Sequence, residues 1–514
     1  MEHYISRRTF LVKAAMTVAA TKLWPRSKSA AQVSLEIPAV AEGPQMPLDF
    51  VGLSYEVQQL TDPNFFSAKN TGLIRAFKQL SQHGVLRLGG NTSEFGYWKS
   101  TPDSLEPPHP PTREAEGEPK ANYYPVTLEA VRNLAEFLKE TGWTCLYSVG
   151  MGTNTPARAA EEAVFVADAL GANLQYFQIG NEPDLFSRHL RDPQTWSARA
   201  YLDEWLGLAR AIMERVPQAK FGLPDETRNI QWLTEIAALW PSIQNPPRVA
   251  TMTHHYYFGG PASNPEVNIP NLLQPATMAK VQGTANAANA AAAKLGVRMR
   301  MTEGNTCFRG GKPGVSDVFA AALWSADYSL LLASNNYSGI NLHGGTGKSV
   351  TNSVGGFLPG DVLLEQQGAT PAEIASHPHP FYSPIGTFGE EYILQPVAHG
   401  LQFAGLLSGG RLFKTTFTEK LQATGVNATG YGAELPGGKR SLVLLNKDLD
   451  KEIEVLLDFG KDGKDGMVEV ESLHAPAIDS RGAQITQSSS SRVKKNGHYR
   501  VGIPHASGVC VTLT

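Results

Sequence analysis

The 514-residue chain is short of cysteine, short of net charge and, beyond its N-terminus, short of long apolar runs. Its three cysteines, Cys145, Cys307 and Cys510, are odd in number and widely spaced, so neither a disulfide framework nor a structural zinc site is expected. With 45 basic against 48 acidic side chains the formal charge is −3. That balance excludes the electrostatic footprint of a nucleic-acid binder and a polybasic membrane anchor. No later stretch approaches the roughly 20 apolar residues that span a bilayer. Repeats of solenoid period are absent. Gly345-Thr346-Gly347-Lys348-Ser349 lacks the first glycine of a phosphate loop, which would fall at Leu342, so no nucleotide is expected. His377 and His379 are isolated by prolines and do not suggest a metal site.

The N-terminus carries an address. Ser6-Arg7-Arg8-Thr9-Phe10-Leu11, followed by Lys13, looks like a twin-arginine signal, with an apolar region from Ala14 to Ala20. Ser29-Ala30-Ala31 is a small-residue cleavage site. Residues 1–31 are therefore expected to direct export, leaving a mature chain that is periplasmic or secreted and free of the membrane.

What is present, above all, is alternation. A chain this long is expected to form two domains, one of them large. Phe50 to Glu56 reads as a first strand. Asn70 to Gln82 carries Leu73, Phe77 and Leu80 at helical spacing, and Gly84 suits the C-terminal cap. Val85 to Leu88 is the next strand. Thr127 caps a helix with Leu128, Val131, Leu134 and Leu138 on its inner face, stopped by Gly142. Strands at 144–149, 174–179, 220–223, 248–257, 297–302 and 338–342 follow, with helices between them. Eight strands alternating with helices imply an α/β fold, a parallel (β/α)8 barrel over residues 46–408. The tracts 102–125 and 344–384 read as loops beside its mouth, and 389–407 as a closing helix.

After Gly409 short alternating or β-branched segments separated by Gly, Asp, Asn and Pro predict an all-β sandwich over 409–514. Val33, Leu35 and Ile37 alternate as in a strand, and residues 32–45 are expected to give that strand to the sandwich.

The fourth strand ends in Gly180-Asn181-Glu182-Pro183, and the seventh at Glu303 in Met301-Thr302-Glu303-Gly304-Asn305. The C-terminal ends of parallel barrel strands are where such enzymes place catalytic groups. Two carboxylates flanking one bond are what glycoside hydrolysis requires, one protonated and one ionised. A separation of about 5 Å goes with retention and about 6.5–9.5 Å with inversion. Asn181 is placed to hydrogen-bond a sugar hydroxyl, and Glu56 and Asn91 to grip others. Tyr256 and His254 are placed to orient Glu303 and keep it ionised. Cys307 lies near, but without a histidine pairing it reads as a small buried thiol.

The motifs LSYE, RLGGN, GNEPD, THHYY and TEGN together resemble glycoside hydrolase family 79, the clan A group of β-glucuronidase and heparanase-type enzymes. The resemblance covers most of the mature chain, sandwich included. It implies a retaining mechanism with Glu182 as acid/base and Glu303 as nucleophile, and Glu56, Asn91, Asn181 and Tyr256 as sugar-contacting or site-orienting groups. Members that bind a uronic acid place a Tyr five residues after the nucleophile, followed by glycines. Here Phe308 stands there, followed by Arg309, Gly310 and Gly311. Either Arg309 supplies a charge-assisted bond in place of the lost hydroxyl, or the sugar is neutral. The resemblance thus implies an exo-acting β-glucuronidase working on carbohydrate as a monomer, without cofactor or metal. A neutral-sugar β-glycosidase, an endo-acting polysaccharidase and a non-catalytic carbohydrate-binding protein stay open as alternatives.

Overall fold

Eight strands close into a parallel barrel: β1 (Val51–Glu56), β2 (Val85–Gly89), β3 (Thr144–Val149), β4 (Leu174–Ile179), β5 (Phe221–Glu226), β6 (Val249–Gly259), β7 (Arg298–Cys307) and β8 (Ile340–His343). The structure is a computed structural model that describes residues 30–376, 380–389, 391–463, 466–488, 490–493 and 496–514. All but the last two residues of the expected export signal, together with His377 and His379, lie outside the described residues. β1, β2 and β5 are buried along their whole length, as parallel strands covered by helices must be.

The helices follow from capping and stripes. The side chains of Asn70, Thr127 and Thr155 accept the first free N–H groups of Thr71–Leu80, Leu128–Thr141 and Pro156–Leu170. Gly142 ends the second of these at φ 75, a left-handed conformation that glycine adopts without strain. Leu73, Phe77 and Leu80, then Val131, Leu134 and Leu138, turn inward.

Four strand ends run past the sequence reading, and each matters for the site. β5 runs on to Glu226, β6 to Gly259 and β7 to Cys307, and β8 gains His343. The register also slips, between Pro224 and Glu226 on β5 and between Met301 and Glu303 on β7. A one-residue slip reverses which side chains face inward.

Of the two insertions, 344–384 is largely helical, not a loop: Gly347–Ser353, Pro359–Gln366 and Pro371–Ser376. Two of these helices open on proline, whose missing N–H costs nothing in the first turn. Residues 102–123 form no regular element, and Tyr124–Thr127 then pairs with Gly96–Lys99. The closing helix is shorter than 389–407, spanning Pro396–Ala404, because Pro396 can start a helix but not sit inside one. Ile385–Phe388 and Glu391–Leu394 form a hairpin ahead of it.

The C-terminal part packs a seven-stranded antiparallel sheet against a three-stranded one. In the smaller sheet Ala31–Glu36 runs parallel to Ile453–Asp458, which pairs on its other edge with His498–Ile503. Leu442, Leu444, Val509 and Val511 share a core with Leu35, Val455, Leu457 and Ile503. The barrel helix Phe319–Ser334 is buried on nearly every side. Asp327 in its middle accepts from the hydroxyls of Thr429 (2.8 Å) and Tyr431 (2.7 Å) and is ion-paired with the buried Lys447. Barrel and sandwich are thus joined by a fully partnered buried ion pair. Among the described residues no helix is long and apolar enough to cross a membrane.

Candidate active site

A cavity of about 620 Å³ opens at the C-terminal ends of the barrel strands, lined by Asn91, Glu182, His255, Tyr257, Glu303 and His343 among others. Glu182 follows β4 with φ 48 and ψ 51, a left-handed conformation that costs a residue with a Cβ about 1–3 kcal/mol. Its N–H donates to the carbonyl of Asp225 at 2.9 Å, which holds it there. Nδ1 of His255 lies 2.9 Å from Glu182 Oε1.

Glu303 has different company. Nη1 of Arg87 lies 2.5 Å from its Oε2, the Tyr257 hydroxyl donates to Oε1 at 2.9 Å, and His343 Nδ1 is 3.7 Å away. Arg87 is wholly buried, and each of its donors is spent. Nε reaches Gln178 (3.2 Å), Nη1 reaches Ser54 (3.0 Å) and Glu303, and Nη2 reaches Asn181 (2.6 Å) and Asp225 (2.5 Å). Five N–H groups meet five acceptors, which is what keeps a buried guanidinium tolerable.

These surroundings drive the two carboxyls apart. Burial raises the pKa of Glu182, and the bond from His255 only partly offsets it. Burial would raise Glu303 too, but His343, His255 and Arg87 outweigh it and bring its pKa down to about 2. His255 is held well above the usual histidine range: burial opposes its charge, but Asp225 and Glu303 more than compensate. One carboxylate oxygen of Glu182, one of Glu303 and one nitrogen of His255 all lie within 4.8 Å of one another. Three donors at that spacing would suit a divalent ion, but the Arg87 cation already sits on Glu303, so the cluster is arranged to share protons and charge between two acids.

Of the residues expected from sequence, Asn91, Glu182, Glu303, Phe308 and Arg309 line the cavity. Asn181 sits behind them, bridging Arg87 and Asn91 (2.8 Å). Glu56 does not line the cavity. Its Oε2 accepts from the N–H and hydroxyl of Thr92, and Oε1 stands 3.3 Å from His343 Nε2, so it braces His343 from below. Gly90 makes room for it, because a Cβ there would lie 2.2 Å from the Glu56 carboxylate. Gly310 also lies outside the lining, its carbonyl accepting from Tyr382 N–H at 3.3 Å.

His254 and Tyr256 are turned away from the cavity, contrary to expectation. The His254 ring faces the Tyr337 hydroxyl and the His255 carbonyl, both at 3.0 Å, and burial lowers its pKa to about 4. Tyr256 stacks on Tyr328 with centroids 5.2 Å apart. Their neighbours His255 and Tyr257, on the opposite face of β6, take the places expected of them. Arg87, Asp225, His255, Tyr257 and His343 were not foreseen. Arg87 did carry a signal, a lone charge within an otherwise apolar strand.

Fold and site together define a class, the (β/α)8 barrels that carry a pair of acids across the mouth. No protein-family model matches the chain. It is similar to a β-glucuronidase of Aspergillus niger, 27% identical over 382 residues that make up 67% of each protein. It is also 27% identical over 319 residues to a β-glucuronidase of Neurospora crassa, spanning 55% of this chain and only 54% of that protein. Among solved structures it superposes on a 4-O-α-L-rhamnosyl-β-D-glucuronidase of Fusarium oxysporum with TM-score 0.70 at 15% identity, covering 94% of this chain and all of that one. The GH51 arabinofuranosidase of Xanthomonas axonopodis matches at TM-score 0.64 and 13% identity, over 94% of this chain and 100% of its own. At such identities the structural matches speak to the fold, which is that of these hydrolases.

Proposed function

We propose that this chain is a retaining, exo-acting glycoside hydrolase that removes β-linked glucuronic acid. The observation that carries the proposal is the pair Glu182 and Glu303, with an oxygen of each within 4.8 Å and opposed protonation tendencies. That spacing favours the retaining arrangement, where the carboxyls stand about 5–5.5 Å apart, over the 6.5–9.5 Å or so that leaves room for a water. Glu182, kept protonated, gives its proton to the leaving oxygen while ionised Glu303 attacks the anomeric carbon and forms a glycosyl ester. Glu182, now a carboxylate, takes a proton from water, and that water displaces Glu303.

Exo action is supported by the insertions. A Cβ on Gly355 would lie 3.1 Å from the Glu118 carbonyl, and Asn91 Nδ2 donates to the Ser353 carbonyl at 3.2 Å. The two inserted segments therefore meet beside the acids and wall one end of the cleft. A uronate is supported by the names of the two relatives and by Arg309, which lines the cavity with no carboxylate partner among the described residues. Gly117 lets it in, because a Cβ there would lie 1.4 Å from the guanidinium.

One observation favours a neutral sugar instead: Phe308, 36% exposed at the cavity, offers no donor to a carboxylate. Turnover of aryl β-glucuronide beside β-glucoside, β-galactoside and β-xyloside separates the readings. Preference for the glucuronide supports the proposal, preference for a neutral sugar supports the second reading, and no turnover of any overturns both. The twin-arginine-like N-terminus leads us to propose a periplasmic or secreted location as well.

A further inference from the structure

We infer that Asp225 is a positioning residue that fixes which nitrogen of His255 carries the hydrogen, and thereby keeps Glu182 able to act as an acid. The inference rests on the reading of Glu182 as the acid/base.

Asp225 is buried at the end of β5, with its carboxylate shared among four neighbours. Oδ2 accepts from Arg87 Nη2 at 2.5 Å, and Oδ1 accepts from Gln178 Nε2 and Thr302 Oγ1, each at 2.5 Å. Nε2 of His255 stands 3.2 Å from the same Oδ1. The other candidate partner for Nε2 is Arg87 Nη2 at 3.5 Å. Both hydrogens of that nitrogen already go to Asn181 and Asp225. A carboxylate only accepts, so Nε2 must bear the hydrogen.

The consequence falls on the opposite nitrogen. With Nε2–H fixed on Asp225, the one proton shared across the 2.9 Å contact lies either on Nδ1, with His255 cationic and Glu182 ionised, or on Glu182, with a neutral His255 accepting at Nδ1. A contact that serves both states is what a group needs when it acts first as acid and then as base. The remaining charges around His255 are Glu303, with an oxygen within 4.8 Å, and Glu226 and Glu182 on the neighbouring strand ends.

Asp225→Asn tests this without changing shape. Arg87 can accept nothing, so the new amide must keep its oxygen toward Nη2 and turn its NH2 toward His255, giving up the bond from Gln178 Nε2. Nε2 then has to accept, the hydrogen moves to Nδ1, and Nδ1, now only a donor, favours the ionised form of Glu182. The assay uses the full chain and whichever aryl β-glycoside the wild type hydrolyses, with a poor leaving group (phenyl) and a good one (2,4-dinitrophenyl) that departs without a proton. For Asp225→Asn we expect kcat on the phenyl glycoside to fall about 100-fold or more, the scale of a lost general acid, with KM little changed. The dinitrophenyl glycoside should lose far less. His255→Gln should show the same split, and Asp225→Asn should add nothing in that background.

Equal losses on both leaving groups in a variant of unchanged thermal unfolding would overturn the inference. So would a full Asp225→Asn effect on top of His255→Gln. Should Asp225→Asn not fold, the split in His255→Gln alone decides. Glu182→Ala is the control for the underlying reading: if it shows no leaving-group dependence, the acid/base assignment fails, whatever Asp225 does.

Discussion

Tyr257→Phe is the most informative single substitution, because it removes one hydrogen bond to Glu303 and keeps the ring. The phenol donates to Glu303 Oε1 at 2.9 Å, and the ring packs beside Phe308 and Tyr382, contacts that phenylalanine retains. A hydrogen bond to a charged group is worth about 1.5–3 kcal/mol net, and about 1.4 kcal/mol is one pH unit, so the Glu303 pKa should rise by roughly one to two units. Its starting value is about 2. The donor favours the ionised form, so removing it raises the pKa. The nucleophile must be ionised, so the acidic limb of the kcat/KM profile moves to higher pH by the same amount. The assay is kcat/KM of an aryl β-glycoside across the acidic and alkaline range, with unfolding followed at each pH. An unmoved acidic limb would refute the role given to Tyr257. Movement of the alkaline limb alone would mean that the two carboxylates have exchanged roles.

Two further expectations concern stability. Burial raises Glu162 to a pKa of about 7, partly offset by the Tyr147 hydroxyl donating at 2.7 Å. Its folded value lies above its unfolded one, so the stabilisation is complete below the unfolded pKa of about 4.5 and is lost as pH rises through about 7. Glu162→Gln should therefore flatten the decline in stability between about pH 4.5 and pH 7, by up to about 3 kcal/mol, in denaturant titrations at several pH values. An unchanged slope would remove Glu162 as its cause. Lys447→Met leaves Asp327 charged and buried with only two hydroxyl donors and should cost about 3–5 kcal/mol in the same assay. Adding Asp327→Leu should recover part of that, and no recovery would show that the loss is not electrostatic.

The barrel was legible in the sequence because its strands are short apolar runs and its helices carry caps and stripes, which are local signals. Glu182 and Glu303 stood out because each breaks an apolar run at what reads as a strand end, although β7 continues through Glu303 to Cys307. The groups that tune them were harder to see. His255 and Tyr257 were mistaken for their neighbours because β6 is buried on both faces from Thr251 to Tyr256, so its run of His and Tyr carries no apolar–polar alternation to say which face meets the cavity. Asp225 follows Pro224, which reads as a strand terminator, yet β5 continues through both. His343 lay one residue past the assumed end of β8. Arg87 makes its contacts with residues 33 to 216 positions distant, pairings that no local pattern encodes.

The central claim is that Glu303 attacks the sugar directly while Glu182 supplies the proton. Proton NMR of the first product released from an aryl β-glycoside tests it most directly. The account predicts that the β-anomer forms first and the α-anomer only later, by mutarotation. Initial release of the α-anomer would mean a single displacement by water, and would contradict the double displacement assigned to this pair.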